Sequence, residues 1–285
     1  MNSFAASMFI LPLLLVQSAL AQRTLMIPLE TAVHGLLKMN ATVNGHVGTF
    51  LFDSGSGFSN ISPSFAAAIG CQPWGQITGF RMTGERLDMQ HCDNVSVQIG
   101  GRSFASTTVG VFDLSGYLPS EVGHIDGTIA LDLFANDVFT LSYGGRFIQI
   151  LDLKALALQT AGVDGMPIHV VRDAEGLALT VNLPVNTSAG TAWFEMDSGN
   201  TSSRVLVSRS LAPLFQLTSD TKVASLIRII FADGSAFVGQ PRILQLILDG
   251  NLGASFLSSY DVTIDLPHKT AWLTGRSPGA SGRGK

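Results

Sequence analysis

Charge is scarce in this sequence. Only 13% of its 285 residues are Asp, Glu, Lys or Arg, about half the share in ordinary soluble domains. The 17 basic and 21 acidic residues leave a net charge of −4, so no basic face is available for a nucleic acid. A disordered acidic chain is excluded too, because 46% of the residues are hydrophobic. Cysteine is nearly missing, and two residues exclude a disulfide-dense scaffold or a Cys-built zinc ribbon. The six histidines are scattered, with no H-x-x-x-H or H-E-x-x-H pair, so no metal site is expected. No P-loop or G-x-G-x-x-G turn occurs, which disfavours nucleotide chemistry. What remains is apolar and rich in turn formers. The 30 Gly and 11 Pro at low charge point to many short strands joined by tight turns.

A long apolar run is also lacking. Met8–Val16 is nine residues of apolar character, and Ala19-Leu20-Ala21 follows as a cleavage pattern. A membrane-spanning helix needs about 20 apolar residues, so residues 1–21 read as a secretory signal peptide cleaved near Ala21. An uncleaved anchor is the alternative, since no Lys or Arg precedes Met8. The mature protein is then expected to be secreted or periplasmic. Export favours a disulfide between Cys71 and Cys92 over two buried free thiols.

The mature chain reads as an internal duplication. Leu51-Phe52-Asp53-Ser54-Gly55-Ser56-Gly57 is echoed 144 residues later by Phe194-Glu195-Met196-Asp197-Ser198-Gly199-Asn200. One Asp-Ser-Gly alone is a common Asx turn, but the flanks repeat as well. Upstream, Leu36–Val43, Asn44-Gly45 and Gly48–Phe52 predict a hairpin. Leu177–Leu183, a loop over Pro184–Gly190 and Thr191–Met196 repeat it. Downstream, Ile61 aligns with Val205, and short helical patterns follow at Pro63–Ile69 and Ser208–Phe215. Asp126-Gly127 leads into Asp137–Ser142, and Asp249-Gly250 leads into Asp261–Leu266. Asp53 and Asp126 are 73 residues apart, Asp197 and Asp249 only 52. The excess falls in the Cys71–Cys92 region, where Gly79–Gly84 is a hairpin tip and the second copy offers only the turn Phe231–Ser235. Leu153–Asp164 is the expected connection between the copies, and Ser277–Lys285 reads as a disordered tail.

An apolar pair before Asp-Ser-Gly, followed later by Asp-Gly-x-(Leu/Ile)-Gly, resembles the signature of the pepsin and retropepsin type of aspartic peptidase. The resemblance runs from about Gly35 to Leu273. It implies an all-β, bilobal pepsin-like acid protease fold, with pseudo-two-fold duplicated lobes and an inter-lobe cleft. The lobes are expected at 22–155 and 156–276. It implies Asp53 and Asp197 as the catalytic pair, sharing one proton while a water is activated. Ser54 and Ser198 would hydrogen-bond across the two loops. Gly55 and Gly199 would keep the turns free of a crowding Cβ. Ser56 would bind the outer oxygen of Asp53, with Asn200 in the matching place. Gly79, Phe80 and Gly84 would mark a flap that closes on substrate, and a Cys71–Cys92 disulfide would tie its base. Ala130 stands where the pattern has Gly, whereas Gly253 keeps it.

The implied activity is endopeptidase hydrolysis of peptides or unfolded proteins. No cofactor, metal, nucleic acid or stable membrane span is expected, and the chain would act as a monomer. The alternative is a secreted peptide-binding protein on the same fold with weak or no turnover. Ala130 speaks for it; both Asp, both Ser and both Gly speak against it.

Overall fold

A computed structural model describes residues 24–218 and 226–276. The expected signal peptide at 1–21 and the tail at 277–285 lie outside the described residues.

Strands are the dominant element. The first half carries β1 (Leu25–Pro28), β2 (Glu30–Thr31), β3 (Leu37–Val43), β4 (His46–Phe52), β5 (Asn60–Ile61), β6 (Trp74–Phe80), β7 (Arg86–Ile99), β8 (Arg102–Val111), β9 (Gly127–Ile129), β10 (Val138–Ser142) and β11 (Phe147–Ile150). The second half carries β12 (Met166–Pro167), β13 (His169–Val171), β14 (Thr180–Thr187), β15 (Gly190–Met196), β16 (Arg204–Ser208), β17 (Ile227–Ile230), β18 (Ala236–Leu244), β19 (Gly250–Leu252), β20 (Tyr260–Asp265) and β21 (Thr270–Gly275). Three short α-helices interrupt them, α1 (Pro63–Ala68), α2 (Leu153–Gln159) and α3 (Ala254–Leu257).

The duplication is visible in the sheet topology. One lobe is ordered β2-β3-β4-β9-β5-β8-β7-β6, the other β13-β14-β15-β19-β16-β18-β17. Strand for strand the orders agree, and among the described residues β6 alone has no partner in the second lobe. The third sheet, β1-β11-β10-β20-β21-β12, joins the lobes and is itself palindromic. At its centre Thr140 pairs with Thr263, and their hydroxyls are 2.8 Å apart. Gln159 of α2 donates to Thr140 Oγ1 at 2.6 Å, so the connecting helix caps the pseudo-two-fold axis.

Local chemistry explains the elements. Asn44 and Gly45 take φ of 47° and 83°, which a two-residue hairpin turn requires and Asn-Gly supplies at low cost. Ser62 caps α1, accepting the Phe65 amide at 3.1 Å, and Pro63 opens the helix where no N–H is needed. Asp152 caps α2 in the same way, accepting the Ala155 amide at 2.7 Å. Phe50, Phe52, Phe194 and Met196 point into the lobe cores and are fully buried.

Four register details differ from the sequence reading. Pro184 lies inside β14, paired with Trp193, and the loop shrinks to Ser188-Ala189. Proline is tolerated there because β13 pairs only as far as Asn182, and beyond it the edge makes one isolated bridge, in which Pro184 only accepts, from Ala232 N–H at 3.2 Å. Ile61 and Val207 both face the Gly of the Asp-Gly segments, so the equivalent of Ile61 is Val207, and the second lobe's Asp-Ser-Gly loop is two residues longer. The axis at Thr140 and Thr263 makes Asp261 the equivalent of Val138, one position from the sequence alignment. The turn Phe231–Ser235 joins β17 to β18, so it matches the Gly100-Gly101 turn between β7 and β8 and not the flap.

Cys71 and Cys92 form a disulfide. It ties the segment after α1 to β7, at the foot of the β6–β7 hairpin. Among the described residues no helix is long and apolar enough to cross a membrane.

Candidate active site

Asp53 follows β4 and Asp197 follows β15, at equivalent points of the two lobes. Asp53 N–H donates to Ile129 O at 3.0 Å and Asp197 N–H to Leu252 O at 3.1 Å. The two Asp-Gly segments are structural. Asp126 Oδ2 accepts the Thr49 amide at 2.8 Å and Asp249 Oδ2 the Trp193 amide at 2.9 Å. Each carboxylate therefore pins the strand whose end presents Asp53 or Asp197.

The two Asp-Ser-Gly loops interlock. Ser54 N–H donates to Ser198 Oγ and Ser198 N–H to Ser54 Oγ, both at 2.9 Å. The hydroxyls then donate onward across the boundary, Ser54 to Met196 O at 2.9 Å and Ser198 to Phe52 O at 3.2 Å. Both serines are fully buried. Gly55 packs against the Asp197 carboxyl and Gly199 against that of Asp53; a Cβ on either would overlap the opposite carboxyl group.

The carboxyls of Asp53 and Asp197 are neighbours, each packed against the glycine of the opposite loop. Gly55 N–H donates to Asp53 Oδ1 at 2.9 Å, and Gly199 N–H donates to Asp197 Oδ1 at 2.8 Å. Burial, and then the neighbouring Asp197 charge, push Asp53 up to about 7. Two close carboxyls cannot both ionise readily, so the pair holds one proton over the acidic range.

The outer supports differ from the expected ones. The Ser56 hydroxyl turns away and donates to Phe58 O at 3.3 Å. Asn200 serves Asp197 through its backbone, donating N–H to Oδ1 at 3.0 Å. Its side-chain amide donates instead to Asn251 Oδ1 at 2.7 Å. Asn251 then donates to Asp197 Oδ2 at 2.7 Å and to Glu195 Oε2 at 3.1 Å. Neither Asn251 nor Glu195 is singled out by the sequence motif. The available signal was a polar residue at a place where the first copy has an apolar strand residue, Glu195 against Leu51.

Ala130 is fully buried, and its N–H donates to Ser59 Oγ at 2.9 Å. Ser59 in turn donates to Asp132 Oδ1 at 2.6 Å, and burial pushes the Asp132 carboxyl up to about 6. In the longer second loop the Asn200 carbonyl occupies this space, and a Cβ at Gly253 would overlap it. The Ala/Gly difference thus follows from loop length.

The segment expected as a flap forms the β6–β7 hairpin. Gly79 pairs with Leu87 and Phe80 with Arg86, and Phe80 is exposed. Gly84 takes φ of 86° in the tip, and Gly84 N–H donates to Arg81 O at 2.7 Å. The tip reaches the other lobe, where Ile247 N–H donates to Met82 O at 2.9 Å. At the base Ile77 is buried with Phe58 and Ala178 in a small apolar cluster that spans both lobes. Among the described residues no group of three or more His, Cys, Asp or Glu is placed to hold a metal ion.

A family model described as aspartyl protease matches residues 39–133, which include Asp53 but not Asp197. No curated protein matches the sequence. Several solved structures are similar. Basic 7S globulin from soybean aligns with a TM-score of 0.60 and 11% identity, over 91% of this chain and 97% of that one. Conglutin gamma, a basic 7S globulin from lupine seeds, aligns at 0.56 and 11%, over 89% and 95%. The structure titled edgp aligns at 0.55 and 10%, over 88% and 94%. At such identities the likeness is one of fold. The chain has the all-β, bilobal pepsin-like fold with duplicated lobes.

Proposed function

We propose that this protein is an aspartic endopeptidase, with Asp53 and Asp197 as its catalytic pair. One observation carries the reading: two interlocked Asp-Ser-Gly loops, one from each lobe, bring the carboxyls of Asp53 and Asp197 together. In this reading the ionised carboxyl takes a proton from a water, and the resulting hydroxide adds to the peptide carbonyl carbon. The protonated carboxyl gives its proton to the carbonyl oxygen. Collapse of the tetrahedral diol returns a proton to the departing nitrogen as the C–N bond breaks, and the pair ends with one shared proton. The flap over the pair fits an extended peptide and excludes water around it. Peptides and unfolded proteins are the proposed substrates of a monomer built from lobes 22–155 and 156–276. The disulfide fits a secreted or periplasmic location.

A peptide-binding protein without turnover is the second reading. The flap tip already bonded to Ile247 favours it, as does the likeness to two structures named as globulins. Incubation with denatured casein from acidic to neutral pH separates the two. Wild-type protein is expected to cleave, and Asp53→Asn and Asp197→Asn to lose about 10³-fold or more with an unchanged circular dichroism spectrum. Wild-type turnover in either variant removes the dyad assignment, and no cleavage by wild type at any pH selects the binding protein.

A further inference from the structure

The second lobe buries a carboxyl that the dyad reading does not use. Glu195 sits on β15, two residues before Asp197, and is only 6% exposed. It points away from Phe194 and Met196, which fill the lobe core. In the ladder it lies between Asn182 of β14 and Asn251 of β19. Residues opposite each other in a sheet share a face, so Asn182, Glu195 and Asn251 form a buried polar row across the sheet. The equivalent row in the first lobe is Lys38, Leu51 and Thr128, and it holds no carboxyl.

The row ends on the dyad. The two N–H bonds of the Asn251 carboxamide go to Glu195 Oε2 at 3.1 Å and Asp197 Oδ2 at 2.7 Å, and its oxygen accepts Asn200 Nδ2 at 2.7 Å. The Asn200 orientation is held by Ser202 N–H, which donates to Asn200 Oδ1 at 3.1 Å. The carboxamide is therefore fully satisfied and cannot flip without placing its oxygen against two carboxyl groups.

We propose that Glu195 is a positioning residue for the dyad: it anchors the Asn251 carboxamide, which in turn holds the outer oxygen of Asp197. This rests on the endopeptidase reading for its catalytic meaning but not for its geometry. Glu195 acts in its neutral form. Burial, and then the acidic neighbours Asp197, Asp53 and Asp173, hold its proton well above the usual carboxylate range against the opposing hydrogen bond from Asn251. A neutral carboxyl has an O–H to place. Across the ladder Asn182 Oδ1 is buried without a hydrogen-bond partner among the described residues, and in this proposal it is the acceptor of that O–H. Glutamine has the same shape, with an oxygen for Asn251 and an N–H for Asn182, so it mimics this form at every pH.

The experiment compares pH profiles of kcat/KM. Asn251→Leu removes a donor from the Asp197 carboxylate, which disfavours the ionised dyad. Its acid limb is expected to move up by about one pH unit. Glu195→Leu is expected to move the acid limb in the same direction by a smaller amount, and Glu195→Gln to return it to the wild-type position. An acid limb in E195L that coincides with wild type overturns the proposal. So does an E195Q shift as large as that of E195L. Should wild type not cleave at all, the endopeptidase reading fails by itself. The inference is then decided by carboxyl ¹³C NMR titration of the same proteins, where dyad titration that is unmoved in folded E195L overturns it.

Discussion

Ser54 and Ser198 exchange hydrogen bonds reciprocally, each amide donating to the other's hydroxyl at 2.9 Å. One lobe's loop is thus built partly out of the other's. Ser54→Ala leaves the Ser198 amide and the Met196 carbonyl buried without a partner. A loss of about 2–4 kcal/mol is expected, read by denaturant unfolding as a lowered midpoint. Ser198→Ala should cost a similar amount. The double variant should cost less than the sum, because either change alone already parts the loops. Strict additivity would show that the two contacts act independently.

Gly55 and Gly199 each face the opposite carboxyl without room for a methyl group. Gly199→Ala is expected to displace Asp53 and lower kcat/KM by about 100-fold. Far-ultraviolet circular dichroism should remain that of an all-β protein. Wild-type kcat/KM in G199A would show that the carboxyls tolerate a wider separation.

Asp53 links stability to pH. Its carboxyl titrates near 3.8 when unperturbed and near 7 in the folded chain. Between these values the folded state holds a proton that the unfolded state has released. Stability therefore falls as pH rises from about 4 to about 7. Asp53→Asn removes this dependence. The variant should match wild type near pH 4 and exceed it near pH 7, by an amount on the order of a few kcal/mol. Parallel thermal melts at the two pH values check this, and an equal gap at both contradicts it.

The Cys71–Cys92 bridge closes a loop across a sequence separation of 21. Removing it with Cys71→Ala and Cys92→Ala should cost about 3 kcal/mol in the chain-entropy account. The loss should be local first. Amide exchange in β6 and the start of β7 is expected to rise more than in the joining sheet around Thr140 and Thr263. A uniform rise across both regions would show that the bridge stabilises the whole molecule and not the flap.

Much of this was legible in the residues. The hairpin at Asn44-Gly45 was readable because an Asn-Gly pair between alternating strands has few other uses. The Asp53 and Asp197 loops were readable because the two motifs repeat with their flanks. The disulfide followed from an even cysteine count and an export pattern. The β6–β7 hairpin was placed correctly by the surplus of residues between Asp53 and Asp126. Its supposed counterpart at Phe231–Ser235 was not, because matching turns by position in the chain ignores which strands they join.

The sequence by itself determined that the chain folds as two copies of one lobe and that each copy supplies an Asp-Ser-Gly turn, since local periodicity and turn chemistry are written in neighbouring residues. Only the tertiary structure decided what lies beyond each carboxyl. Asn251 meets Asp197 because β19 pairs with β15 in one particular register, and a shift of a single residue would turn Asn251 to the other face. The first loop's own turn sends the Ser56 hydroxyl to Phe58 O, and the β15–β19 pairing sets Glu195 beside Asn251, a contact that no motif describes. Sheet register depends on the packing of a whole lobe, and a short motif carries no record of it.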